Sequence, residues 1–125
     1  DTINAGRIHI VEPDLEGLVH SGVRNGRLFA RTAPQQADVF VIAVPTPIRA
    51  DKSPDLSMVE AAARAIAPVL RPGNLVILES TSPVGTTDEI VAPVLAQSGL
   101  APGVSLFVAY CPERVLPGRI LTELI

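Results

Sequence analysis

Three stretches of the chain are apolar almost throughout: "VFVIAV" (Val39 to Val44), "LVILES" (Leu75 to Ser80) and "LFVAY" (Leu106 to Tyr110). A shorter candidate, "LFAR" (Leu28 to Arg31), precedes them. Runs that are apolar without alternation fit strands of a sheet buried on both faces. Helical patterns lie between them. "PDLEGLVHSG" opens with Pro13 and stops toward Gly22, as proline at a first turn and glycine past a last one predict. "SMVEAAARAIAPVL" begins with Ser57 three residues before Glu60, and "TTDEIVAPVLAQSG" with Thr86 three before Glu89. Both spacings are those of a capping box, and Gly99 is placed to cap the second helix at its end. Pro68 and Pro93 fall late in these patterns, where each removes a hydrogen bond, so kinks or early ends are expected there.

Strand, helix, strand, helix, strand at this spacing describes βαβ units. The fold class expected is therefore α/β, a doubly wound parallel sheet. No repeat, low-complexity segment or linker divides the chain, and 125 residues at 47% hydrophobic content predict one domain over residues 1–125.

Composition removes several functions. A net charge of −3 without a basic cluster gives no footprint for nucleic acid or an anionic membrane, and no apolar run is long enough to span a bilayer. Cys111 is the single cysteine, so no internal disulfide forms and a cytoplasmic location is the simplest expectation. His9 and His20 stand alone, without ligand spacing, and no metal is expected. Neither a GxGxxG nor a phosphate-binding P-loop occurs.

Ligands of open parallel sheets bind beyond the carboxyl ends of the strands. Here those ends run into "PTPI", "TSPVGTT" and "CPERVLPG", loops stiffened by proline and carrying Thr, Ser, Glu and Arg. Proline and serine are also ordinary turn residues, Glu79 and Glu113 fit exposed loop carboxylates, and Cys111 fits a small buried hydrophobe with no neighbouring histidine to activate it. The residues alone thus lead to an α/β domain with a polar site at its strand ends.

"VIAVPTPI", "PDLSMVEAAARAIAPVL", "LVILESTSPVGTT" and "YCPERVLPG", in this order, resemble the N-terminal dinucleotide-binding domain of the UDP-glucose/GDP-mannose dehydrogenase family. "IVEPDLEGLV" is similar to the segment after that family's second strand, so the likeness covers nearly the whole chain. "PERVLPG" is similar to the branch that oxidises UDP-N-acetylhexosamines, with UDP-N-acetylmannosamine the favoured substrate. The resemblance implies NAD as cofactor and a UDP-sugar substrate. It implies that Pro45, Thr46, Pro47 and Ser80 lie against NAD, and that Thr81 sits near the nicotinamide and helps hold a catalytic water. Glu113 takes part in acid/base chemistry at thioester hydrolysis, and Arg114, Val115 and Leu116 line the nucleotide-sugar site.

UDP-glucose enzymes often carry a second glutamate where this chain has Pro117, which favours the N-acetylhexosamine branch over UDP-glucose or GDP-mannose oxidation. The family's Gly-rich turn and its nucleophilic cysteine have no match in these residues, and Cys111 is not that nucleophile. The resemblance therefore implies an internal piece of the enzyme, a partial Rossmann-like doubly wound parallel sheet lacking its first strand or strands, without the central and C-terminal domains and inactive alone, whose unpaired strand edge favours self-association. A non-catalytic α/β binding domain is the reading from another class.

Overall fold

The computed structural model describes residues 1–115, 118 and 121. They form two compact units, Ala33–Glu113 and Asp1–Thr32 with Arg114–Ile125.

In the larger unit three parallel strands, β1 (Val39–Ile42), β2 (Leu75–Leu78) and β3 (Phe107–Tyr110), lie in the order β1-β2-β3. Val39 pairs with Leu75, and Leu75 with Phe107; three further rungs end at Ile42, Leu78 and Tyr110. The crossover from β1 to β2 carries helix α2 (Ser57–Ile66). The crossover from β2 to β3 carries a wide π-turn (Thr87–Val91) running into α3 (Ala92–Leu95). Strands added successively in one direction by crossovers of one hand put both helices on one face of a sheet. That face is the core. Phe40, Ile42, Val76 and Leu78 meet Val59, Ala63 and Ile66 of α2 and Val91, Val94 and Leu95 of the second helical segment, with Leu106 completing the cluster.

The expected burial of both faces is not found among the described residues. On the opposite face Val39 is 49% exposed, Val41 52% and Phe107 52%, while Leu75, Ile77 and Ala109 are half-buried. The reason is the common direction of the two crossovers, which leaves no helix of this unit for the second face.

The helix ends differ in detail from the expected capping boxes. Ser57 and Thr86 make no side-chain capping bond; Asp55 accepts the Ser57 N–H at 3.0 Å instead, and Glu60 pairs with Arg64. Ser57 is already the first helical residue, so the carboxylate two positions earlier reaches its N–H more readily. α2 ends before Pro68, which sits in a short 3-10 turn (Ala67–Val69). Pro93 has no N–H for the Glu89 carbonyl, and the preceding turn widens, so that Ala92 donates to Thr87, five residues back. Gly99, at φ 84°, caps the final 3-10 turn (Ala96–Ser98) as expected.

In the smaller unit, α1 (Leu15–Arg24) runs past Gly22. A 3-10 turn (Ile3–Ala5) closes on Gly6, which is buried where a Cβ would come within 3.0 Å of His20 Nδ1. Buried Glu12 accepts the Gly118 N–H at 2.7 Å. Leu28 to Arg31 is not a strand: the Ala30 N–H and carbonyl both bond the Asn4 side-chain amide, at 2.6 and 2.9 Å. A strand requires another strand beside it, and the side chain of Asn4 takes the polar groups that a ladder would use.

Candidate functional site

Beyond Ile42 and Leu78 the parallel ladder continues for one more step, and the chains then separate. The Glu79 and Ser80 N–H groups both donate to the Ile42 carbonyl, at 2.9 and 3.2 Å. On the other side the Cys111 N–H reaches the Leu78 carbonyl at 3.0 Å and the Glu113 N–H reaches that of Glu79 at 3.0 Å. All three strands thus deliver their next residues to one place. A cavity of about 430 Å³ opens there, lined by Val44, Pro45, Glu79, Ser80, Thr81 and Glu113.

Its walls are cross-linked by hydroxyls. Ser80, 7% exposed, accepts the Val44 N–H at 2.7 Å and donates to the Val44 carbonyl at 2.7 Å. Thr46 donates to the Thr81 carbonyl at 2.8 Å. Pro47 does not line the cavity; its carbonyl accepts the Asp55 N–H at 2.7 Å. That bond starts a small hairpin in which Ile48 bridges Pro54 and Lys52 adopts φ 67°. Hydrogen bonds from the Ser57 side chain, then its backbone N–H, with Arg49 adding, hold the Asp55 carboxyl down to about 2. Asp51 is also lowered, chiefly by the Ser53 hydroxyl. The proline loop is therefore tied at both ends.

Pro45, Ser80, Thr81 and Glu113 come together around one cavity, with Thr46 bonded to its rim. Arg114 and Val115 belong to the smaller unit, and Leu116 lies outside the described residues. Glu79 and Val44 were not singled out from sequence as site residues. The signal for Glu79 is its place directly after the last paired residue of β2, where the next side chain must emerge at the carboxyl edge. A second cavity, about 370 Å³, lies between Ser82, Gly85, Asp88 and Tyr110, whose hydroxyl meets the Ser82 N–H and carbonyl at 3.3 Å each. Among the described residues no group of three metal-binding side chains occurs, and no helix is long and apolar enough to cross a membrane.

Two carboxylates and several hydroxyls in a cavity half walled by proline and valine can orient a polar ligand and exchange protons with it. The hydroxyls of Ser80 and Thr46 are both engaged within the protein, on the Val44 and Thr81 carbonyls, and so fix the shape of the walls.

The family model of the UDP-glucose/GDP-mannose dehydrogenase family, NAD binding domain, matches residues 1–125. An NDP-N-acetyl-D-galactosaminuronic acid dehydrogenase of Ralstonia nicotianae is 56% identical, over 100% of this chain and 31% of its own length. The UDP-N-acetyl-D-mannosamine dehydrogenase of Escherichia coli K12 is 53% identical over the same shares. The chain thus spans about a third of the length of the curated relatives it matches. Among solved structures, the UDP-N-acetyl-mannosamine dehydrogenase of Staphylococcus aureus superposes with a TM-score of 0.92 at 43% identity, covering 99% of this chain and 31% of that one. A GDP-mannose dehydrogenase of Pseudomonas aeruginosa in a ternary complex gives 0.93 at 32% identity, covering 99% and 30%.

Proposed function

The chain belongs to the UDP-glucose/GDP-mannose dehydrogenase family, as its NAD-binding domain, and on that premise we propose that it is part of an NAD-dependent nucleotide-sugar 6-dehydrogenase. Its substrate is a UDP-N-acetylhexosamine, UDP-N-acetylmannosamine first, oxidised to the uronate for surface polysaccharide synthesis. Both compact units form one dinucleotide-binding domain of that enzyme. The observation that carries this is the convergence of Pro45, Ser80, Thr81 and Glu113 on one cavity at the carboxyl ends of parallel strands.

When bound, NAD supplies the hydride acceptor. Pro45, with Thr46 at the rim, presents a preformed wall to it, Pro47 anchors that wall through Asp55, and Ser80 stands behind it. Thr81 holds a water beside the reacting carbon, and Glu113 moves a proton to or from that water during hydrolysis of the acyl intermediate. Arg114, Val115 and Leu116 contact the nucleotide sugar. The reaction also needs a cysteine nucleophile, for which this chain offers no matching residue. The isolated 125-residue chain is therefore inactive and works as part of a longer, cytoplasmic polypeptide. Its open sheet edges and apolar face favour self-association when it stands alone.

The deciding experiment measures NADH formation by the full-length protein carrying this segment. UDP-N-acetylmannosamine, UDP-N-acetylgalactosamine, UDP-N-acetylglucosamine, UDP-glucose and GDP-mannose are supplied in parallel. The galactosamine nucleotide is included because of the Ralstonia relative. Turnover of an acetylated UDP-sugar, lost in Glu113→Ala, is expected. Preference for UDP-glucose or GDP-mannose moves the enzyme to another branch; no NADH with any of them leaves a non-catalytic binding domain.

A further inference from the structure

We propose that Ser80 is a positioning residue of the dehydrogenase site, acting through Val44 to hold the proline wall at a fixed spacing from Thr81. This rests on the dehydrogenase reading above and assigns Ser80 a role within it. A serine beside a cofactor is ordinarily expected to offer its hydroxyl to the ligand, but here both capacities of the hydroxyl are used inward. It accepts the Val44 N–H and donates to the Val44 carbonyl, each at 2.7 Å, and lies 3.3 Å from the Ile42 carbonyl. One hydroxyl has one proton to donate, so the shorter bond to Val44 takes it and the Ile42 contact is secondary.

The composition of the facing segment shows why that clip matters. In Val44-Pro45-Thr46-Pro47 the two prolines have no N–H, so only Val44 and Thr46 can donate from the backbone. The ordinary ladder stops at the Ile42 carbonyl, which already receives the N–H groups of Glu79 and Ser80. The Ser80 side chain supplies the next rung where backbone pairing has ended. Two residues on, the Thr46 hydroxyl donates to the Thr81 carbonyl at 2.8 Å. Residues 44 and 46 are thus fastened to the consecutive residues 80 and 81. Pro45, held between the two fastenings, lines the same cavity as Thr81. Of the two, the Ser80 bond is part-buried and the Thr46 bond exposed, and the less exposed bond is the costlier to lose.

The measurement uses the full-length enzyme and compares Ser80→Ala, Ser80→Thr and Ser80→Cys. Ser80→Ala should raise KM for NAD about tenfold, the scale of leaving one half-buried donor unpaired, while KM for the nucleotide sugar stays within about twofold. Ser80→Thr, which restores a hydroxyl, should return KM for NAD toward wild type. If Ser80→Ala fails to fold, Ser80→Cys keeps the size with a weaker bonding group, and an intermediate KM for NAD is expected. Hydrogen exchange at the Val44 amide provides an independent arm: its protection should fall in Ser80→Ala while that of the paired strand residues persists. An unchanged KM for NAD in Ser80→Ala overturns the positioning role. Undiminished Val44 protection overturns the clip itself. If the wild type turns over no nucleotide sugar, the dehydrogenase reading falls and takes the role with it, and Val44 exchange then reports separately on the clip.

Discussion

Gly85 lies in the loop that carries Ser80 and Thr81 into the second helix, at φ 90°. An alanine there meets two costs of different origin. The first is conformational: an L-residue held in the left-handed region loses roughly 1–2 kcal/mol. The second is contact, since a Cβ would sit 2.7 Å from Glu89 Oε1 and 3.0 Å from its Cδ. Glu89 is exposed, so its carboxylate can swing away; a few tenths of a kcal/mol is a fair allowance. Against these, alanine stiffens the unfolded chain and returns about 0.4–1 kcal/mol. The net loss is about 1 kcal/mol, or a fall of about 4 °C in Tm for a chain of this size. Urea unfolding followed by far-ultraviolet circular dichroism measures it directly. Gly85→Ala with Glu89→Ala should recover only the contact portion, and Gly85→Asn should cost less than Gly85→Ala, because asparagine tolerates this conformation. Wild-type stability in Gly85→Ala, or full recovery in the double variant, would refute the assignment of the cost to backbone conformation.

Leu78 is fully buried at the centre of the core, and Leu78→Ala should lower unfolding free energy by about 3 kcal/mol in the same assay. The Asp55 carboxyl titrates near 2 in the folded chain against about 3.9 when unfolded, so its contribution is fully present above the unfolded value and is lost as pH falls through about 2. The stability gap between wild type and Asp55→Asn should therefore be constant near neutrality and close on acidification; a gap that widens toward low pH would contradict this. Val41→Lys, on the open face of an edge strand, should shift the isolated chain toward monomer in sedimentation velocity, whereas unchanged association would place the contact elsewhere.

The three strands could be read from their continuous apolar runs, although the burial on both faces that such runs suggest was not met, Val39, Val41 and Phe107 lying open. "LFAR" shows the limit: its composition suits a strand, but a strand exists only where another pairs with it, and Asn4 takes those groups here. The capping boxes misled for a local reason. Spacing identified Ser57 and Thr86 correctly as residues at helix starts, yet Thr86 donates to the Pro83 carbonyl and Asp55 reaches the Ser57 N–H first. The place of the site followed from where the strands end. What side chains do there did not: sequence gives no hint that the Ser80 hydroxyl turns inward to Val44, or that Glu79 shares the cavity with Glu113.

The wide turn at Thr87–Val91 has a consequence for how chain length can change in this region. Thr86 and Val91 are both buried although five residues separate them, while Val91 and Leu95 are buried at the usual spacing of four. The turn therefore stores one residue beyond what an α-helix needs, and it joins two halves of a helix that would otherwise be out of phase. Removing one residue there would return the segment to an α-helix in which Thr86 and Val91 stand four apart, about 400° of rotation, so Thr86 would keep its facing while Val94 and Leu95 stay seated on the sheet. The segment can thus lose that residue without re-aiming the loop that bears Thr81 or disturbing the core packing beneath it.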